Sequence, residues 1–539
     1  MKNYKIIAFS ILACSMGHAQ TLEDAIKKTD NERYDLAETE FKALIAKEPA
    51  KGNNYFYYGE NFLLRGELDS ANIIWQKGAT MDPAEPLNFV GLGTYLWYKG
   101  DTTAARKQFS AVATMTKNKN AEVMRKTASP QIYAPLKNLN EAITLLNSAI
   151  KAEPKNIDNY LLLGDALLEK TPSDGSPAIL NYNKALDLNP KSSRGIVRTA
   201  KLYQRAENYE LANEKYQEAQ ALDPTYAPAY RENAELNMKF NQSTKAIENW
   251  KKYLELNNST EARYRFASAL ILGKKYCEAI PELERIQSEG FTNFYTKRML
   301  TYSYFECNEN GAQEIYQKGL DASGQFFAIA PSEKIIASDY RYKGMLLSKL
   351  GNDSLAIVEL EKAVALDSSN AKDLLGDIGK LNMKMKKYDR AIIAYERKLG
   401  TNAENLNAQE YFELGRAYYF GSKDYVKADS AFSKLTAIAP TFSVAYLWRA
   451  RSNYKLDPKN ELWQAKPHYE KYVELVTPEE RLTPSHKPLV IEASKYLGDY
   501  YVNSKEKDLT KAKMYWNIVR ELDPADKQAK AFFAPPAGK

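Results

Sequence analysis

Apolar positions along this chain recur at spacings of three and four, the repeat of a helix with one buried face. The pattern does not run on as one long helix. It breaks at short polar turns and returns with a period near 34 residues. A small residue marks the period. Ala37, Ala71 and Ala105 stand 34 apart, as do Ala178, Ala212 and Ala246. Ala142, Ala279, Ala312, Ala356, Ala391, Ala428, Ala465 and Ala512 continue the series with small slips. Four residues later a large side chain usually follows: Phe41, Trp75, Phe109, Tyr182, Tyr216, Trp250, Tyr316, Leu360, Tyr395, Phe432, Tyr469 and Trp516. A repeat this long is a pair of helices, and stacked pairs make a solenoid. That architecture predicts a binding surface rather than a reaction centre.

The second unit carries the pattern most fully. Tyr55, Tyr58, Gly59 and Phe62 share one side of a first helix, Gly66-Glu67 forms the turn, and Ala71, Trp75 and Gly78 lie on a second helix that ends at Asp82-Pro83. The small residues let the two helices approach, and a large side chain at either would overpack the crossing. Pro83 cannot continue the hydrogen bonding of the helix before it. The same signature returns in Tyr160, Leu163, Gly164, Leu167, Ala178, Tyr182, Ala185 and Pro190, then in Ala200, Tyr203, Ala212, Tyr216, Ala219 and Pro224. Later units carry Gly344, Leu347, Ala356 and Ala363, then Gly415, Tyr418, Ala428 and Phe432, then Gly498, Tyr501, Ala512 and Pro524. These residues resemble the tetratricopeptide repeat. The resemblance implies an all-α fold, a right-handed α-solenoid of tetratricopeptide-like helical hairpins with about fourteen units.

Three stretches depart from the pattern. Residues 120 to 136 hold Pro130 and Pro135 where a first helix should run, so that helix is expected to be broken or shortened. Asp321 to Lys334 reads as a longer connection with Phe326, Phe327 and Pro331, and Pro478 to Pro488 as another. The expected arrays are therefore 20–119, 137–320 and 335–477, separated by insertions at 120–136 and 321–334. A loop at 478–488, a terminal unit at 489–526 and a tail at 527–539 follow. Prolines and a glycine make the tail fray, while Phe532 and Phe533 can tie its start to the last unit.

Residues 1–19 stand apart from the repeats. Lys2 and Lys5 precede a short apolar run, and Gly17 and Ala19 place small residues at the minus-three and minus-one positions before Gln20. This reads as a cleaved secretory signal. Ile11-Leu12-Ala13-Cys14 also resembles a lipoprotein cleavage box, so lipidation at Cys14 stays open beside the preferred cleavage at Ala19. No other segment reaches the apolar length of a transmembrane helix. Only Cys277 and Cys307 remain in the body of the chain. Their pairing is not fixed by sequence; free, partly buried thiols are the favoured reading.

The chain has 539 residues and a formal charge of +7. Without Lys2 and Lys5, 73 basic residues face 68 acidic ones, a net +5. Spread over this length, that argues against a dedicated nucleic-acid binder. The three histidines, His18, His468 and His486, form no metal-ligand spacing, and no phosphate loop, nucleophile elbow or HExxH motif occurs. The chain reads as a non-enzyme without cofactor or metal.

In tetratricopeptide proteins the first helices line a concave groove that holds a partner segment. The resemblance implies a basic strip at Arg194, Lys201, Arg231, Arg265, Arg341, Arg416 and Arg451, with Arg205 at its edge. Such side chains can clamp carboxylates by paired hydrogen bonds, or can be ordinary solvated positions offset by acidic neighbours. Apolar groove candidates are Phe56, Leu63, Val90, Trp97 and Tyr98, then Phe412, Tyr419, Phe420 and Leu447. Packing beneath the adjacent unit is their alternative fate. Phe326 and Phe327 are candidate contacts on the insertion. The leader plus the repeat resembles periplasmic or outer-membrane-associated tetratricopeptide proteins, and the Lys, Asn and Tyr content with Ala19-Gln20 looks like those of Bacteroidota. The expected role is a protein-binding scaffold or assembly factor of the cell envelope, whose partners are other envelope proteins or peptide segments. Two alternatives stand beside it, a structural spacer using its convex face and insertions, and a surface carbohydrate-binding protein.

Overall fold

The computed structural model describes residues 21–291, 293–308, 310–368, 371–401 and 406–534. The leader, with Cys14, and the tail from Pro535 lie outside these residues. Among the described residues there are no strands, and the helices pair into fourteen hairpins. They form two compact units, one up to residue 292 and one from 293 on.

The first unit holds eight hairpins: Leu22–Asp30 with Tyr34–Lys47, Gly52–Arg65 with Leu68–Met81, Pro86–Tyr98 with Thr102–Met115, and Ala121–Tyr133 with Leu139–Ala152. Ile157–Lys170 with Ser176–Leu188, Ser193–Arg205 with Tyr209–Leu222, Ala227–Lys239 with Ser243–Leu256, and Thr260–Leu272 with Tyr276–Ser288 complete it. The second unit holds six: Phe294–Glu306 with Gln313–Ile329, Ala337–Lys349 with Asp353–Leu366, Ala371–Lys384 with Tyr388–Leu399, Ala408–Ala417 with Tyr425–Ile438, Ser443–Leu456 with Lys466–Leu475, and Lys487–Asn503 with Leu509–Leu522.

Local chemistry sets the ends. Asn156, Ser192, Asn208, Ser259 and Asp424 each accept a backbone N–H of the first turn they precede, which satisfies a donor the helix cannot. Asp82, Asp223 and Asp523, each before a proline, adopt the extended backbone that proline imposes and end their helices. Between many of the paired helices a residue takes a left-handed conformation, for example Gly66 at φ 92° and Glu32 at φ 56°.

The repeating small residues do the packing the sequence assigned them, with one exception. The other thirteen alanines of the series are fully buried. Ala312 is exposed, and it falls on the N-cap of a helix that begins only at Gln313. Asn308 holds it there, accepting from Ala312 N at 2.9 Å and donating to Ala312 O at 2.7 Å. Tyr316 and Gly319 keep the register one turn later, both buried.

The irregular stretches are more helical than the sequence suggested. Residues 121–133 form a full helix with Pro130 inside it. The proline sits in the last turn, so it removes one internal hydrogen bond, and its carbonyl still accepts from Ala134 N at 3.0 Å. Ala134, ahead of Pro135, turns extended and ends the helix. Residues 321–334 are not an irregular connection: they continue the 17-residue helix Gln313–Ile329 into a short 3-10 turn, Ser332–Lys334. Phe326 is buried there, and Phe327 packs on the Tyr340 ring at 4.9 Å. Neither is an exposed contact. The loop at 478–488 contains the one-turn helix Pro478–Arg481, and the next helix begins at Lys487. At the C-terminal end Lys527–Phe533 is helical; Phe532 stacks on Trp516 at 5.8 Å and so covers the last layer. Cys277 and Cys307 are both disulfide cysteines, which corrects the reading as free thiols.

Candidate binding cavity of the N-terminal unit

Within the first unit, side chains from the first helices of the first, second, fourth, fifth, sixth and seventh hairpins converge on a cavity of about 910 Å³. A helix presents one stripe to its neighbours in the stack and the next stripe inward, so the same register returns a polar side chain to the cavity wall at each layer. The wall carries eight basic and eight acidic side chains. Most are paired from one hairpin to another. Lys126 donates to Glu60 at 2.6 Å. Arg198 grips Asp165 through Nε at 2.9 and 3.1 Å, and Tyr182 donates to the same carboxylate at 2.7 Å. Arg194 lies 3.0 Å from Asp158, and Lys201 donates to Glu232 at 3.0 Å.

The turn of the first hairpin supplies two of the acids. Arg231 binds Glu32 in bidentate fashion, Nε to Oε2 at 3.2 Å and Nη2 to Oε1 at 2.9 Å. Tyr253 donates its hydroxyl to Glu32 at 2.9 Å. Arg194 donates to Asp30 at 3.0 Å, and Asn31 donates to the Thr225 hydroxyl at 3.0 Å. The turn therefore touches the sixth and seventh hairpins, and the first unit closes on itself.

Charge and burial pull against each other in this wall. Burial pushes the Asp158 carboxyl up, but Arg194, Arg125, Lys126 and Arg198 outweigh it and hold the group below its ordinary range. Burial would lower Arg194, while Asp30 and Asp158 raise it further. The Tyr226 phenol is pushed up to about 12 by burial, against the pull of Arg198 and Arg194. The hydrogen bonds that Arg194, Arg198 and Arg231 make to carboxylates are charge-assisted.

Of the basic candidates, Arg194, Lys201, Arg205 and Arg231 come together on this cavity. Arg265 lies off it and pairs with Glu261 at 2.8 Å. Arg341, Arg416 and Arg451 belong to the second unit. Arg341 is exposed, Arg416 lies 3.7 Å from Glu413, and Arg451 binds Glu492 at 2.6 and 2.9 Å. Of the apolar candidates, Phe56, Val90, Trp97 and Leu447 are buried between layers and offer no surface, because their helices turn them into the stack. Leu63 and Tyr98 are half-buried against that core. Phe412, Tyr419 and Phe420 form an aromatic cluster with Trp448, where Tyr419 and Phe420 meet the indole at 5.1 and 5.4 Å. Phe420 sits on a π-helical turn, Tyr418–Ser422, and is half exposed.

Sequence reasoning missed Asp30, Glu32, Asp158, Asp165 and Arg198. Arg198 was within reach, one helical turn after Arg194 on the same face. Asp30 and Glu32 were not, since their partners lie more than 160 residues away.

No group of three or more His, Cys, Asp or Glu side chains that could hold a metal ion occurs among the described residues. His468 instead offers a pH dependence. Burial, then Arg449, lowers it from the usual 6.5 to about 4, against Asp429. The unfolded chain takes up this proton near pH 6.5 and the folded chain does not, so stability is lost as pH falls from 6.5 towards 4. The loss is about 2–3 kcal/mol, from 1.36 kcal/mol per pKa unit. His468→Gln should lose that much less stability between pH 7 and pH 4 in urea titrations; equal losses in both proteins would rule this out.

Among solved structures, the chain is similar to the C-terminal part of a TPR repeat-containing protein from Cytophaga hutchinsonii. The identity is 30% over 50% of this chain and all of that one, with a TM-score of 0.39. It is also similar to the APC/C hetero-tetramer Cut9-Hcn1, at 14% identity over 88% of this chain and 96% of that one, TM-score 0.31. A third is a thermophilic TPR protein of Thermus thermophilus, at 17% identity over 41% of this chain and all of that one, TM-score 0.29. No family model and no curated protein matches the chain.

Proposed function

The chain belongs to the tetratricopeptide-repeat proteins by its fourteen hairpins and their recurring small residues, and from that premise we propose that it is a protein-binding scaffold or assembly factor of the bacterial cell envelope. The observation that carries the binding role is the cavity wall of the first unit, where successive hairpins turn charged and phenolic side chains inward rather than closing an apolar core. Sites of this kind hold extended or helical segments of other proteins.

The envelope setting is supported by two features. Residues 1–19 have the pattern of a secretory leader. Cys277 and Cys307 are disulfide cysteines, and disulfides persist in oxidising compartments. No helix among the described residues is long and apolar enough to cross a membrane. The spacer reading is weakened at one of its two named contacts, since Phe326 is buried, while Phe327 is half-buried.

A photo-crosslinker placed at Lys201 or Arg205, followed by purification from envelope fractions, tests the proposal. Discrete envelope proteins should be captured, and the mature chain should fractionate with the periplasm or outer membrane. Capture at an exposed position outside the cavity such as Leu180 but none at Lys201 or Arg205 would favour a spacer. Retention of the chain in the cytoplasm would end the envelope reading.

A further inference from the structure

We propose that Arg194, Arg231, Thr225 and Tyr253 form a carboxylate-binding surface which the chain's own Asp30-Asn31-Glu32 turn occupies in cis, and that an acidic segment of a partner protein, bearing two carboxylates one residue apart, displaces that turn. The inference rests on the scaffold reading above and names the chemistry of its partner.

The contacts define what the surface accepts. One carboxylate is met by the fork of Arg231 and by a phenolic hydroxyl. A second, two residues earlier, is met by Arg194. Between them an amide meets the Thr225 hydroxyl. A bidentate guanidinium selects a planar anion, and a lysine in its place would not. Charge agrees with this. The cavity wall is balanced only because Asp30 and Glu32 are counted in it. With the turn withdrawn, eight basic side chains face six acidic ones; Arg194 keeps Asp158 and Arg231 keeps Glu232 as neighbours, and the surface carries a net positive charge that favours an anion.

The occupant is held from outside as well as within. Arg194 and Arg231 keep about a third of their side chains open, at 31% and 34%, and the adjoining cavity is of the size that takes a ligand segment. A competitor can therefore approach before the turn has left. The turn's left-handed Glu32 does not mark it as special, since Glu207, Asn241, Lys274 and Lys386 take the same conformation between their own helices. What sets it apart is the pair of carboxylates and their reach to hairpins six and seven. Nearby, Lys27 lies 3.7 Å from Asp223 and adds a weaker tie.

The full chain and a fluorescent peptide of its own sequence Lys27–Asp35 provide the test, with fluorescence anisotropy as readout. Wild-type protein should bind the peptide weakly, because the tethered turn competes at high effective concentration. Asp30→Asn with Glu32→Gln in the protein should tighten peptide binding about tenfold or more. Adding Arg231→Ala to that variant should remove the gain, as should a peptide carrying Asp30→Asn and Glu32→Gln. Hydrogen exchange of residues 22–33 in wild type should rise when peptide saturates it. An oxidised Asn31→Cys, Thr225→Cys protein should bind no peptide, while Asn31→Ser, Thr225→Ser should bind it. This pair keeps the test decisive where the first variant fails to fold. The inference is overturned by equal peptide affinity in wild type and the Asp30/Glu32 variant, or in the crosslinked and serine forms. The scaffold reading would survive that result if crosslinking at Lys201 still captured envelope proteins.

Discussion

Replacing Trp75 by alanine is expected to cost about 4 kcal/mol, the range for deleting a large buried aromatic, and to loosen the second and third hairpins more than any others. Trp75 lies between two layers. Its indole sits against Gly59 on the paired helix and against Gly91 on the first helix of the next hairpin, so that a Cβ at Gly59 would fall 2.2 Å from Nε1 and one at Gly91 would fall 2.4 Å from the ring carbons. The ring is fully buried, and its N–H donates to Phe56 O at 3.0 Å. Alanine would leave a cavity with glycine on two sides, where no side chain is present to relax inward. It would also remove the indole hydrogen bond that Phe56 O accepts in addition to its helical one. Because Trp75 packs within its own hairpin and against the next one, the damage should be local. Native-state hydrogen exchange should accelerate across Gly52–Tyr98, with little change in the seventh and eighth hairpins. Gly91→Leu should produce the same local pattern by the opposite route, at about 3 kcal/mol, since overpacking forces the layers apart. Uniform acceleration over the whole unit would contradict nearest-neighbour stacking.

The same residues show why the fold could be read from sequence. Ala71, Trp75 and Gly91 act within or between adjacent layers, so their contacts recur at a fixed spacing and periodicity exposes them. Pro130 and Phe326 were misread because a single rule was applied to each. A proline in a last turn removes little, and a long helix can outrun its repeat when its extra turn finds a hydrophobic place to pack. Ala312 kept the spacing but missed the helix by one residue. The cavity was legible in part. Arg194 and Arg231 follow the groove register and do meet carboxylates. Those carboxylates belong to Asp30 and Glu32, brought round by the accumulated turn of seven layers. Curvature of that kind is the sum of small angles at many crossings, and no single residue records it.

Asp339 marks the second place where a large effect is expected, and it was invisible to the repeat. It is buried, and three residues converge on it with four hydrogen bonds. Arg298 donates from Nε to Oδ1 at 2.7 Å and from Nη2 to Oδ2 at 2.8 Å. Tyr302 donates to Oδ1 at 2.7 Å, and Ile336 N to Oδ2 at 2.9 Å. Arg298 also donates to Lys334 O at 2.5 Å, so one arginine ties the ninth hairpin to the 3-10 turn that leads into the tenth. Burial works against the Arg298 charge, yet the Asp339 carboxylate raises the guanidinium above its usual value. Asp339→Ala would leave that cation without its partner, three donors without an acceptor, and the helix start at Ala337 uncapped. Removal of one member of a buried ion pair costs about 3–5 kcal/mol. Asp339→Asn keeps an acceptor for Tyr302 or Ile336 but not the charge, and should cost roughly half as much, since a neutral acceptor is worth about half a charged one. Arg298→Met placed on Asp339→Ala should restore part of the loss, because the second change removes the stranded charge rather than a second good contact. Denaturant midpoints for the four proteins, with hydrogen exchange over residues 332–349, read this order directly. If Asp339→Ala and Asp339→Asn are equally mild, the network contributes only packing, and the junction is held by the Phe326–Phe327–Tyr340 cluster instead.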